Sequence, residues 1–256
     1  MKKHGPMSAA AVLLAGIISL AVLLFEGYSP PTLPVEKTGA PPKGIEYSHK
    51  PPVGNASTET GIAKTPKDPP EKPVIINGLV ELKALDDSFV IDLKYAGRDN
   101  FTGEKIYTLN KCIIHQNTAA KLIKANNDFK QLGYRIKIFD AYRPYSAQKK
   151  LWDAARDKTY LASPQRGSKH NRGAAVDITL VDNDGKELAM PSGFDEFTER
   201  AHINYRNCPD EQIKNRELLA NIMLKHGFKR ISTEWWHFED TDAMKYPLLD
   251  IPFEAF

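Results

Sequence analysis

The placement of proline constrains this chain more than any other feature. Eleven of its eighteen prolines fall between residues 28 and 73, with Lys, Thr, Gly and Glu between them and few large apolar residues. Proline fixes φ and donates no backbone hydrogen bond, so the stretch reads as an extended, disordered tether rather than as helix or sheet. It cannot bury enough apolar surface to offset the entropy of ordering it. The 256-residue chain therefore divides into 1–27, 28–73 and 74–256, and only the last has the length and composition of a domain with a core.

Ahead of the tether, Met1-Lys2-Lys3-His4 is basic, and Ser8 to Phe25 runs for eighteen residues without a charge. That is a hydrophobic helix, either an uncleaved signal-anchor or a cleaved signal peptide. No small-x-small cleavage pattern follows Phe25, which favours the anchor, with membrane contact, the lysines inside and residues 74–256 exported. Cys112 and Cys208 would then lie where disulfides persist, and spacing alone leaves a bridge and two separate thiols both open. A net charge of +3 with 26% charged residues shows no basic excess, so nucleic acid is not an expected partner. Nothing in the pattern fixes an oligomeric state.

Within 74–256 the apolar pattern alternates between two periods. Ser88–Tyr95 and Tyr134–Phe139 read as strands, as do Gly173–Val181 and Glu234–Glu239. Asn117–Leu132 and Asp210–Lys225 read as helices closed by Gly133 and Gly227, and Ser146 is the expected cap of a short helix through Leu151 and Trp152. The order lacks a regular strand–helix rhythm. It predicts an α+β domain with a largely antiparallel central sheet and flanking helices.

The chemistry is concentrated in Ser168-Lys-His170-Asn-Arg-Gly173-Ala-Ala-Val-Asp177 and in Glu234-Trp-Trp-His237. A catalytic zinc site uses three nitrogen or oxygen ligands and keeps a fourth position open, with a base beside it that does not bind the metal. His170, Asp177 and His237 suit the first role and Glu234 the second. Parity limits how they can meet. Residues seven apart face opposite sides of a regular strand, so the chain must turn at Asn171-Arg172-Gly173. Glu234 and His237, three apart, need either a bulge or a Glu234 that stands on the loop before the strand. His4, His49, His115, His202 and His226 lack such company and are expected to hold no metal, His202 being the best placed to support one indirectly.

These two motifs resemble those of the D-alanyl-D-alanine dipeptidases, the vancomycin-resistance type of zinc dipeptidase. Asp92-Leu-Lys-Tyr-Ala, Asn100-Phe-Thr-Gly103, Asp140-Ala-Tyr-Arg143-Pro144 and Phe194-Asp195-Glu-Phe resemble the same group, and the likeness runs from about Phe89 to the C-terminus. The resemblance implies one Zn2+ on His170, Asp177 and His237, Glu234 as general base, and Arg143 stabilising the oxyanion. It implies that Asp195 holds the substrate ammonium and that Ser168 and Tyr107 help to fix a small D,D-dipeptide. Two other readings remain open at this level: a D,D-carboxypeptidase trimming D-Ala from wall peptides, and a non-catalytic zinc-stabilised module that binds them.

Overall fold

The computed structural model describes residues 72–256. The expected anchor, 1–27, and the expected tether up to residue 71 lie outside the described residues. Strands β1 (Ile75–Ile76) and β2 (Leu79–Glu81) form a hairpin around Asn77-Gly78, both at positive φ, as a tight two-residue turn between right-twisted strands requires. Strand β3 is short, Val90–Ile91, where a longer strand over 88–95 was expected. The chain leaves the sheet because Lys94–Ala96 winds into a 3₁₀ turn that buries Tyr95.

Strand β4 (Ile113–His115) pairs antiparallel with β2 and completes a three-stranded sheet. It runs directly into helix α1 (Gln116–Gln131), whose first turn is capped by the His115 ring accepting from Asn117 N–H. Leu122, Ala125 and Phe129 on α1 are buried at helical spacing. Asn126, fully buried among them, donates to Ser88 Oγ and accepts from Ile136 N–H at 2.9 Å, tying α1 to strand β5 (Arg135–Asp140).

Helix α2 (Tyr145–Ala154) begins slightly earlier than expected. Pro144, with no N–H to satisfy and φ near the helical value, occupies the cap position. The Ser146 N–H is instead held by Asp250 Oδ1 at 2.9 Å. Strand β6 (Ala175–Val181) is buried at all seven residues, helix α3 (Asp210–Lys225) covers the expected range, and strands β7 (Phe228–Arg230) and β8 (His237–Asp240) close the chain's second sheet.

That sheet has the order β3-β5-β6-β8-β7, parallel only between β3 and β5 and antiparallel elsewhere. Among the described residues the fold is thus a mixed α/β architecture of three helices and two sheets. Strand register is what gathers its polar residues. Asp140 on β5 pairs with Asp177 on β6, which pairs with His237 on β8, so three polar residues stand side by side across three strands. A register shift between Ile138 and Asp140 re-aims the end of β5 at this row. Cys112 and Cys208 are free thiols, the first buried, and burial pushes the Cys112 thiol well above its ordinary value.

Candidate active site

The row across the sheet supplies Asp177 and His237, and a turn supplies His170. His170–Arg172 form one 3₁₀ turn that ends at Gly173 in the left-handed region, φ 62°. A side chain there would put Cβ 2.5 Å from Leu79 Cδ2 and 2.7 Å from the His115 backbone nitrogen, so the turn requires glycine. This is the reversal that parity demanded: His170 sits on the incoming turn and Asp177 on the strand after it.

Their ligating atoms converge. His237 Nδ1 lies 2.9 Å from Asp177 Oδ1, His170 Nε2 lies 3.4 Å from Asp177 Oδ2, and the two imidazole nitrogens are 3.3 Å apart. Ligands about 2.0–2.2 Å from a tetrahedral zinc lie roughly 3.3–3.6 Å from one another. The triangle therefore fits one such ion, and its buried set of two imidazoles and a carboxylate is zinc chemistry. His170 is fixed from behind, because its Nδ1–H donates to the Ala141 carbonyl at 2.7 Å and leaves the Nε2 lone pair facing the triangle. Burial opposes ionisation of Asp177, but the two imidazoles outweigh it and hold its carboxyl far below the usual range. Burial likewise opposes the His237 cation, and the hydrogen bond to Asp177 together with the nearby Glu239 carboxylate lifts its pKa to about 10.

Glu234 stands on the loop immediately before β8, the second of the two arrangements that parity allowed. Its Oε2 is 3.9 Å from His237 Nδ1, adjacent to the triangle without belonging to it. Trp235 and Trp236 are buried edge to face and pin this loop: Trp235 Nε1–H donates to Ser192 Oγ, and its backbone N–H to the Ala201 carbonyl. Burial pushes the Glu234 carboxyl up to about 7.

Arg143 is buried in the same cavity, of about 120 Å³, which the triad, Glu234, Ser168 and Asp195 also line. Its Nε and Nη2 both donate to Asp140 Oδ2, at 3.0 and 2.6 Å, and Nη1 donates to Gln148 Oε1 at 2.8 Å. The guanidinium lies 5.3 Å from the centre of the Tyr95 ring. Three of its N–H groups are thus committed, which leaves two for a ligand. Burial works against its charge, and Asp140 more than restores it.

Asp195 reaches the cavity from a loop at φ 58°, a left-handed conformation that aspartate tolerates. Its carboxylate accepts from Tyr95 O–H at 3.1 and 3.2 Å, and burial, reinforced by the nearby Asp177 charge, pushes its pKa up to about 8. Ser168 lines the wall, with Oγ accepting from His170 N–H at 3.2 Å.

Tyr107 is the exception among the expected residues. Its buried hydroxyl donates to Asp140 Oδ1 at 2.6 Å, and its ring packs on Phe253 rather than on the cavity. It stands behind Arg143 because Asp140, at the end of β5, draws its hydroxyl inward. Tyr95 lines the cavity instead. Sequence reasoning assigned no role to Tyr95, Asp140, Gln148 or Glu239. Asp140 was detectable, three residues before Arg143 in the same motif, and so was Glu239, two residues past His237 and hence on its face of the strand.

The chain is similar in sequence to known proteins over this domain. The family model described as D-ala-D-ala dipeptidase matches residues 76–255. A D-alanyl-D-alanine dipeptidase of Escherichia coli K12 is 43% identical over 178 residues, which is 70% of this chain and 92% of that protein. One from Enterococcus faecalis V583 is 32% identical over 201 residues, covering 69% of this chain and 94% of that one. Among solved structures, a mutant of the vancomycin-resistance D,D-pentapeptidase VanY in complex with Zn(II) aligns with 53% of this chain and 79% of its own, at 17% identity and a TM-score of 0.37.

Proposed function

This chain belongs to the D-Ala-D-Ala dipeptidase family, and from that membership together with the donor set of its pocket we propose that it hydrolyses D-alanyl-D-alanine to two D-alanines. It is a zinc metallopeptidase. The observation that carries this reading is the convergence of His170, Asp177 and His237 within hydrogen-bond distance of one another, with Glu234 and Arg143 in the same small cavity.

His170, Asp177 and His237 would hold the zinc, which when bound would supply Lewis-acid polarisation of the scissile carbonyl. The chain's own groups do the rest. Glu234 takes the proton of the attacking water and passes it to the leaving amine; a carboxyl lifted to about 7 is matched to both halves of that task near neutral pH. The two uncommitted N–H groups of Arg143, held still by Asp140 and Gln148, stabilise the negative charge that develops on the carbonyl oxygen. Asp195 receives the substrate ammonium. A carboxyl near 8 is largely neutral at pH 7, so the arriving ammonium displaces its proton and forms a charge-assisted bond. Ser168, on the wall beside His170, contacts the dipeptide.

The apolar run from Ser8 to Phe25 behind two lysines supports export and a hold on the cytoplasmic membrane, with 28–73 as tether and 74–256 as the catalytic domain. That location supports a role in cell-wall peptide metabolism.

Incubating the zinc-loaded protein with free D-Ala-D-Ala and, separately, with an N-acylated peptide ending in D-Ala-D-Ala tests the assignment. The expected result is D-alanine release from the free dipeptide alone, because the acylated peptide has no ammonium for Asp195. Release from the acylated peptide would make the protein a D,D-carboxypeptidase, and silence on both would make it a binding module.

A further inference from the structure

The two histidines of the triangle use opposite nitrogens. His170 turns Nε2 to the triangle and His237 turns Nδ1. A neutral imidazole that gives one nitrogen's lone pair to a metal carries its proton on the other, and in a buried site that N–H needs an acceptor. For His170 the acceptor is the Ala141 backbone carbonyl. For His237 the group facing Nε2 is a side chain, the buried carboxylate of Glu239, with Oε1 at 3.6 Å. Glu239 lies two residues along β8, on the same face as His237.

Glu239 is itself held. Lys169 Nζ lies 3.4 Å from its Oε1 and Lys229 Nζ 3.0 Å from its Oε2, and Lys229 is its cross-strand partner on β7. The two lysines bracket the carboxylate and keep it directed at the ring rather than at the triangle.

We propose that Glu239 is a positioning residue that fixes the Nε2–H tautomer and ring orientation of His237 and thereby raises the affinity of the site for zinc. The inference rests on the zinc reading of the triangle, and concerns a residue on the cavity wall outside the three candidate ligands. An acceptor of this kind behind a metal-binding histidine is worth about 10- to 100-fold in metal affinity.

The test is zinc affinity of the full chain, measured by competition with a chromophoric chelator and so independent of turnover. Glu239→Ala is expected to bind zinc about 10- to 100-fold more weakly. Glu239→Gln, whose amide oxygen accepts the same N–H, is expected to recover most of the loss. Affinity of Glu239→Ala equal to that of the unaltered chain would overturn the proposal, as would equal losses in both variants. Long-range ¹H–¹⁵N spectra of the unaltered, zinc-loaded protein give a second reading that needs no variant: His170 should show the Nδ1–H form and His237 the Nε2–H form. The same form in both rings would also overturn it. An unaltered chain that binds no zinc would instead defeat the metal reading itself.

Discussion

The site is assembled from two kinds of backbone, and they divide its labour. Asp140, Asp177 and His237 stand in one row on three neighbouring strands, where ladder hydrogen bonds and a fully buried β6 fix their spacing. His170, Glu234 and Asp195 stand on turns and loops, each held by a local device: a glycine-closed 3₁₀ turn, a pair of buried tryptophans, and a left-handed residue braced by Tyr95. The strand row carries charges held in fixed places, the Asp177 carboxylate of the candidate metal site and the Asp140 anchor of Arg143 among them. The loops carry groups that must approach the row from outside the sheet's pleat. A strand alone could not present Glu234 and His237 to one point, and a loop alone would not hold Asp140 firmly under Arg143.

Substitutions can be ranked by which side of that division they strike. The largest effect is expected on the strand row. Asp177→Ala should abolish zinc binding and turnover together, because it removes the oxygen ligand and leaves two imidazoles facing one another at 3.3 Å; metal analysis and D-alanine release check this. Arg143→Ala should keep its zinc and lose about 100- to 1,000-fold in kcat, the usual cost of one oxyanion donor.

Asp195→Asn, on the loop side, should act mainly on KM, raising it about 10- to 100-fold as a charge-assisted hydrogen bond of about 1.5–3 kcal/mol is lost. The pH profile gives its sign. The native carboxyl near 8 must ionise to take the ammonium, so KM should fall as pH rises toward 8, by up to about tenfold per unit. In Asp195→Asn that slope should vanish. A KM that rises over this range in the unaltered protein would remove Asp195 from ammonium recognition.

The smallest effect is expected from Gly173→Ala. The new Cβ must push aside Leu79 and the His115 backbone and hold a positive φ, at a cost on the order of 1–3 kcal/mol. Thermal unfolding should show a Tm several degrees lower. Zinc affinity should fall as well, since the same turn carries His170.

Much of the site could be read before any fold was known, and the reason is local. His170, Asp177, Glu234 and His237 lie in two short motifs, and parity alone required a turn at Gly173 and offered the loop placement of Glu234 as one of two solutions. Helices α1 and α3 were legible from their 3.6-residue period. What stayed hidden depends on pairing between distant strands. No spacing announces that Asp140 pairs with Asp177, and without that register Asp140 has no visible task and Tyr107 no reason to turn away from the cavity. The short β3 illustrates the same limit: Ser88–Tyr95 has the composition of a strand, yet burial of Tyr95 against Arg143 and Phe101 draws its second half out of the sheet.

We propose that a loop-borne carboxylate, Glu234, acts as the base beside a zinc triad fixed largely by strands. Glu234→Gln in the full chain, assayed for bound zinc and for hydrolysis of D-Ala-D-Ala in the same preparation, addresses it directly. With Glu234 as the base, the variant is expected to hold one zinc per chain, as the unaltered protein is, with turnover reduced about 100- to 10,000-fold. Turnover within a few fold of the unaltered protein, with zinc in place, would rule Glu234 out as the base.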